Sequence, residues 1–166
     1  MKINQKVLGL SVIIILFGTI IITSALGLWQ TTSTKIPVSY STGDYKSRYN
    51  PADIRGSYSF GEISQIFEIP LEDLAAAFAV NRDDASLFKC KDLENLYGAQ
   101  EKKIGTDSVR IFTALYKGLP ITLTDTSYFP GTARDILLKA GKMSDEQQQY
   151  MALHIVSVES IDKNAG

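Results

Sequence analysis

Cysteine and histidine are nearly missing from this chain, which has one of each, Cys90 and His154, in 166 residues. One cysteine cannot close an internal disulfide, and alone it cannot hold an iron–sulfur cluster or a structural zinc ion. The fold must therefore rest on packing. Glycines are scattered, Gly61 stands alone, and no glycine-rich loop that could cradle a phosphate occurs. The acidic pair Asp83 and Asp84 lacks the glycine and terminal glutamate of a calcium loop. Basic residues are not in excess either. After residue 29, 15 Lys and Arg side chains face 18 Asp and Glu, a net charge of −3. That balance is no footprint for nucleic acid, which calls for a basic face, nor does it suggest a polybasic membrane surface.

Charge is wholly absent from residues 7–29, VLGLSVIIILFGTIIITSALGLW, bounded by Val7 and Trp29. Roughly 20 apolar residues suffice to cross a hydrocarbon core as a helix. The run predicts a single transmembrane anchor. Lys2 and Lys6 lie in the tail of residues 1–6, and the next charge after Trp29 is Lys35. Positive charge ahead of the first span predicts a cytoplasmic N-terminus and an exported soluble domain, and Trp29 suits the interfacial belt. The competing expectation is a cleaved signal peptide, for which Ala25-Leu26-Gly27 has the small-x-small form. The apolar run is longer than a signal h-region, which favours an uncleaved signal-anchor.

Residues 30–50 are rich in Ser, Thr and Tyr without helical period and read as a linker. Val38, Tyr40, Tyr45 and Tyr49 offer the alternative of a segment laid along the domain. Beyond it the pattern is all-α: about five short helices after one membrane span. Ser59 and Glu62 have the spacing of a capping box, followed by Phe60, Ile63 and Phe67 on one face. Pro70 then opens a second helix, with Glu72 and Asp73 in its first turn and a stripe of Leu71, Leu74, Ala75 and Phe78. The pair forms a helix–turn–helix, but its second helix carries no basic residue, which argues against DNA binding. A short helix is expected over 91–97, with Leu87, Phe88, Leu93, Leu96 and Tyr97 pointing inward. A helix over 107–117 follows, capped by Thr106 and carrying Val109, Phe112 and Tyr116, with Ile111 and Leu115 beside them. Residues 121–129 read as an extended loop. A helix opened by Pro130 should bury Ala133, Ile136, Leu137 and Ala140. The last helix, with a capping box at Ser144 and Gln147, should run from 145 to about 158. The domain divides by pattern into halves at 51–98 and 99–160, with a tail at 161–166. Leu119-Pro120 repeats Ile69-Pro70 fifty residues later, and Ile104 echoes Ile54. That spacing predicts two degenerate helix–turn–helix repeats.

The wording of these caps and turns is specific. Residues 52–64, ADIRGSYSFGEIS, with IPLEDL at 69–74, GTDSVRIF at 105–112, Gly118-Leu119-Pro120 and GKMSDEQ at 141–147, resemble an accessory region. That region accompanies polyferredoxin-type [4Fe–4S] membrane proteins of anaerobic prokaryotes. The resemblance implies a partner near a membrane redox complex. The family's electron transfer depends on cysteine clusters that this chain lacks, so no cofactor is expected.

Chemistry finds few carriers. A nucleophile pair would require Cys90 and His154 to meet, with a third group to orient them. His154 sits on a stripe with Met151, Ile155 and Val158, the usual setting of a packed histidine. The acidic pairs Glu72/Asp73 and Asp145/Glu146 lie at helix starts, where the dipole accounts for them. Arg55-Gly56 has no evident role beyond a turn before a helix, and Arg55 is free to meet a partner. Arg55, Tyr58 and Tyr128 are the candidate partner contacts, since exposed Arg and Tyr suit interfaces. The expectation is a non-enzymatic protein-interaction domain, an accessory subunit of a membrane redox or transport assembly. A small-ligand sensor with its site around 99–105 is the alternative, and a hydrolase built on Cys90 and His154 is third.

Overall fold

The computed structural model describes residues 17, 35–98 and 102–156. The chain forms two compact units, Met1–Lys35 and Ile36–Gly166. Of the first, only Phe17, which is helical, and Lys35 are described. The expected anchor at 7–29 therefore lies, apart from Phe17, outside the described residues. Among the described residues, no helix is long and apolar enough to cross a membrane.

The second unit is mostly helical. Its described elements are a 3-10 turn at Pro51–Asp53, α1 (Phe60–Phe67), α2 (Leu71–Ala77), a 3-10 turn at Cys90–Asp92, α3 (Leu93–Tyr97), α4 (Thr106–Lys117), β1 (Phe129–Pro130), α5 (Gly131–Ala140), α6 (Asp145–Leu153) and β2 (Ile155–Val156). Both anticipated capping boxes close. Glu62 N–H donates to Ser59 Oγ over 3.2 Å and Ser59 N–H to Glu62 Oε2 over 2.7 Å. At α6, Gln147 N–H donates to Ser144 Oγ and Ser144 N–H to Gln147 Oε1. Each box satisfies amides that a helix start leaves open.

The centre of the unit is α4. Seven of its residues are buried, from Ser108 through Leu115 with Arg110 excepted. A helix buried nearly all round must be packed from several sides. Arg110 Nε donates to Ile54 O over 2.6 Å while its guanidinium pairs with Asp107. That charge-assisted bond ties the first 3-10 turn onto α4. Phe112 meets Phe78 at a centroid distance of 5.4 Å, Phe78 meets Phe60 at 5.7 Å, and Phe60 meets Phe88 at 5.4 Å. This aromatic chain joins α4 to α2, α1 and the turn before α3. Across the expected boundary between halves, α2 packs most extensively on α5, and Thr132 Oγ1 donates to Ala77 O. The halves at 51–98 and 99–160 share one core.

Several expectations are corrected. The last helix stops at Leu153 instead of about 158. Ile155 and Val156 leave it to pair in parallel with Phe129 and Pro130, and Phe129 N–H donates to His154 O over 2.9 Å. Two β-branched residues with a partner strand beside them favour extension over one more helical turn. Described as all-α by pattern, the unit thus carries a small parallel strand pair. Leu87 and Leu96 face solvent, at 82% and 44% exposure, and Ala140 is exposed as well. Gly105, not Thr106, occupies the cap of α4 and donates its N–H to Ser108 Oγ. The linker expected over 30–50 is, from Ile36 onward, part of the compact unit. Tyr40 and Tyr45 pack on the core, Tyr40 Oη donates to Pro120 O over 2.8 Å, and Ser39 bridges Tyr49.

The spacing of fifty residues has a structural counterpart. Helices α1 and α4 both end in a left-handed residue, Glu68 at φ 53° and Gly118 at φ 65°. Both then turn in a buried apolar residue, Ile69 or Leu119, whose N–H donates back to Ser64 O or Ala114 O. A proline follows each. After Pro70 the chain enters α2 at once, whereas after Pro120 no helix follows before β1, and the chain passes through a turn at Asp125 and Thr126. The cap is repeated; the helix–turn–helix is not.

Thr113 is fully buried in α4 and its Oγ1 has no hydrogen-bond partner among the described residues. Burying a hydroxyl without a bond costs about 1–3 kcal/mol. Thr113→Val keeps the shape and removes the hydroxyl. It is expected to stabilise the unit by about 1 kcal/mol, read as a higher urea midpoint at unchanged slope; a lower midpoint would show that the hydroxyl is bonded.

Candidate functional site

The residues singled out in the sequence do not converge. Arg55 is exposed, with its guanidinium 3.7 Å from Asp53. Tyr58 is only 2% exposed and belongs to the core, so as a surface contact it is corrected. Cys90 N–H donates to Tyr58 O, which locks that strand of chain inward. Tyr128 is half-buried beside His154, at 5.2 Å between ring centroids, and Lys102 Nζ lies over the Tyr128 ring at 5.4 Å from its centroid. Gly56, unexplained in the sequence, is a packing residue. A Cβ there would meet Lys91 Cβ at 3.1 Å and Thr106 Oγ1 at 3.2 Å, and Gly56 O accepts from Lys91 N–H.

The two nucleophile candidates are separately engaged. Cys90 is fully buried, and burial pushes its thiol up from 9.0 to about 12. The charged groups that act on it are Arg110, Glu62 and Asp92, with no histidine among them. His154 stacks on Tyr150 at 4.0 Å, and its Nδ1 lies 2.8 Å from Tyr150 O. A thiol held protonated is a poor nucleophile. Of the loop expected to seat a small ligand, residues 99–101 lie outside the described residues. Among the described residues, no group of three or more His, Cys, Asp or Glu side chains is placed to hold a metal ion.

Burial also raises Tyr97 and Tyr116 to about 12; for Tyr116 the hydrogen bond to Asp73 Oδ2, 2.6 Å long, adds to it. All three groups hold their protons more tightly folded than unfolded. Their contribution to stability is therefore complete below about pH 9 and is lost as pH climbs through 10 toward 12. Urea midpoints are expected to stay level from pH 7 to 9 and to fall steadily above pH 10. Cys90 should resist thiol reagents until the unit unfolds. Rapid labelling of native protein at pH 8 would contradict its burial.

A different feature does gather chemistry at one place. The two left-handed caps lie along an open groove of about 370 Å³ lined by Arg48, Tyr49, Ile66, Phe67, Glu68, Lys117, Leu119 and Lys142. Its floor is apolar: Phe67 and Leu119 are buried and Ile66 half-buried, and Tyr49 meets Phe67 edge-on at 6.4 Å. Its rim is cationic. Lys117, in the last turn of α4, reaches Glu68 Oε2 and Glu68 O, each at 3.5 Å. Lys142 is fixed by its backbone, since Lys142 N–H donates to Leu115 O over 2.9 Å. Its stem lies on Gly118, where a Cβ would come within 3.0 Å of Lys142 Cβ. Arg48 and Lys142 are exposed and have no ion-pair partner among the described residues. Three cations against one carboxylate make a basic rim on an acidic domain.

Sequence reasoning did not single out Arg48, Lys117 or Lys142 as a set. The only linear trace is the fifty-residue cap spacing, which marks Glu68 and Gly118 but not the side chains around them. Against known family models, curated proteins and solved structures, the chain shows no match.

Proposed function

We propose that this chain is a single-pass membrane protein without enzymatic activity whose helical unit binds another protein. It serves there as an accessory subunit of a membrane redox or transport assembly. The N-terminus is cytoplasmic and the helical unit extracytoplasmic, as the lysines before residue 7 imply. The resemblance of residues 52–64 and 105–112 to the accessory region of polyferredoxin-type proteins supports the same assembly class. The observation that carries the reading is the groove at the two caps: an apolar floor beside Arg48 and Lys142, which have no ion-pair partner among the described residues, and Lys117, held by Glu68 alone. Charge held ready over an apolar surface is what an interface with a complementary partner uses for steering and register.

The test is mild-detergent extraction of the tagged full-length chain from its native membrane, with co-purifying proteins identified and quantified by mass spectrometry. Stoichiometric membrane subunits, redox or transport, are the expected result. Recovery of the chain alone at full yield would overturn it, and a free-standing small-ligand sensor would take its place.

A further inference from the structure

The geometry points to the partner's chemistry: the cap groove takes an acidic segment of another protein, with an apolar side chain on the floor and flanking carboxylates on Arg48, Lys117 and Lys142. This rests on the interaction reading above and deepens it. Complementary charge selects the occupant. The rim carries a net charge of two positives, while the sequence after residue 29 carries −3. A basic polypeptide would be repelled by the rim. The groove is concave with a buried apolar floor, which suits an inserted side chain. Three cations also fall short of the clusters of about four to eight that hold a domain to anionic lipid.

Glu68 strengthens the assignment. It sits at a left-handed cap, φ 53°, where the equivalent cap of α4 uses Gly118, and glycine suits that conformation best. Glu68, like Ser47 and Ala79, thus occupies a backbone conformation that does not favour a Cβ. Its carboxylate, 86% exposed, rests 3.5 Å from Lys117 Nζ. Glu68 occupies the cation that a partner's carboxylate would take, and an exposed pair of this kind is weak enough to be displaced.

The experiment uses the full chain in nanodiscs of neutral phosphatidylcholine. The probe is a fluorescein-labelled peptide of a leucine–phenylalanine pair flanked by two glutamates on each side, followed by anisotropy at low and physiological salt. Saturable binding that weakens with salt is expected. R48E/K142E should lose more than tenfold in affinity. K89E/K139E makes the same change of net charge at exposed positions outside the groove, and should stay within twofold of the parent. E68G, which suits the left-handed cap, should bind several-fold tighter. No binding to the parent, or equal losses in both double variants, overturns the proposal. So does a peptide that binds only weakly in neutral discs while discs with phosphatidylserine slow amide exchange around Arg48 and Lys142, which would assign the groove to lipid headgroups. A membrane partner that co-purifies undiminished with R48E/K142E would leave the interaction reading standing and remove this groove from it.

Discussion

Phe78→Ala is expected to cost the helical unit about 4 kcal/mol, a large share of the margin such domains hold. Phe78 is fully buried and sits between Phe60 and Phe112 in the aromatic chain. Truncating a buried phenylalanine costs about 3–5 kcal/mol through lost transfer energy and the cavity left behind. Its two ring contacts, one tilted with Phe60 and one edge-to-face with Phe112, add about 0.5–1.5 kcal/mol each beyond area. The backbone cannot relax easily into the gap, because Phe78 O accepts the Tyr97 hydroxyl over 2.8 Å and Phe78 N–H is bonded to Leu74 O. Domains of this size hold about 5–15 kcal/mol in all. Urea unfolding followed by far-UV circular dichroism measures the loss. Phe78→Leu, which keeps most of the volume, should lose less than half as much. A loss under 1 kcal/mol for the alanine variant would mean that the aromatic chain does not hold the helices together.

Gly61→Ala is expected to cost about 3 kcal/mol, although alanine is the better helix former. Gly61 lies in the first turn of α1, where the propensity gain would be about 1 kcal/mol. A Cβ there would stand 2.6 Å from Ser86 O, which is backbone and cannot rotate away. The approach is close because Gly61 N–H donates to Ser86 O and Phe60 N–H to Phe88 O. Those bonds dock the turn at residues 81–88 onto the start of α1 and hold Phe88 against Phe60. Overpacking of this kind costs about 1–3 kcal/mol, and here it also opens the docked turn. Hydrogen exchange should speed up at Gly61 and Leu87 before the rest of the unit. An Ala variant as stable as the parent would show that the turn moves freely.

The two changes differ in how visible they were beforehand. Phe78 stood out in the sequence, because Leu71, Leu74, Ala75 and Phe78 repeat at helical spacing, and a stripe must face something. Gly61 carried no such mark. Its pattern is that of a lone glycine, and only the carbonyl of Ser86 arriving 25 positions later in the chain explains it. Gly56 is the same case. The inward direction of Leu87 and Leu96 failed for a related reason: hydropathy does not say which side of a short turn the neighbours cover. Tyr58 failed as a surface contact because interface-prone residues are also core-prone, and burial decides between the two uses.

Local rules settled a good deal. The capping boxes at Ser59 and Ser144, the breaks at Pro70 and Pro130, and the stripes of α1, α2 and α4 depend on neighbours within about four residues, and the sequence alone determined them. It also determined that residues 7–29 carry no charge and that a single cysteine closes no internal disulfide. Tertiary structure decided everything that joins distant positions. The strand pair of Phe129–Pro130 with Ile155–Val156 needs two segments brought together by α5 and α6. The packing of residues 36–50 on the domain needs Pro120 O to meet Tyr40. The groove needs Arg48, Lys117 and Lys142 to come from three separate stretches around two left-handed caps. A side chain's charge is written in its identity, but whether it is neutralised depends on what the fold sets within a few ångströms of it.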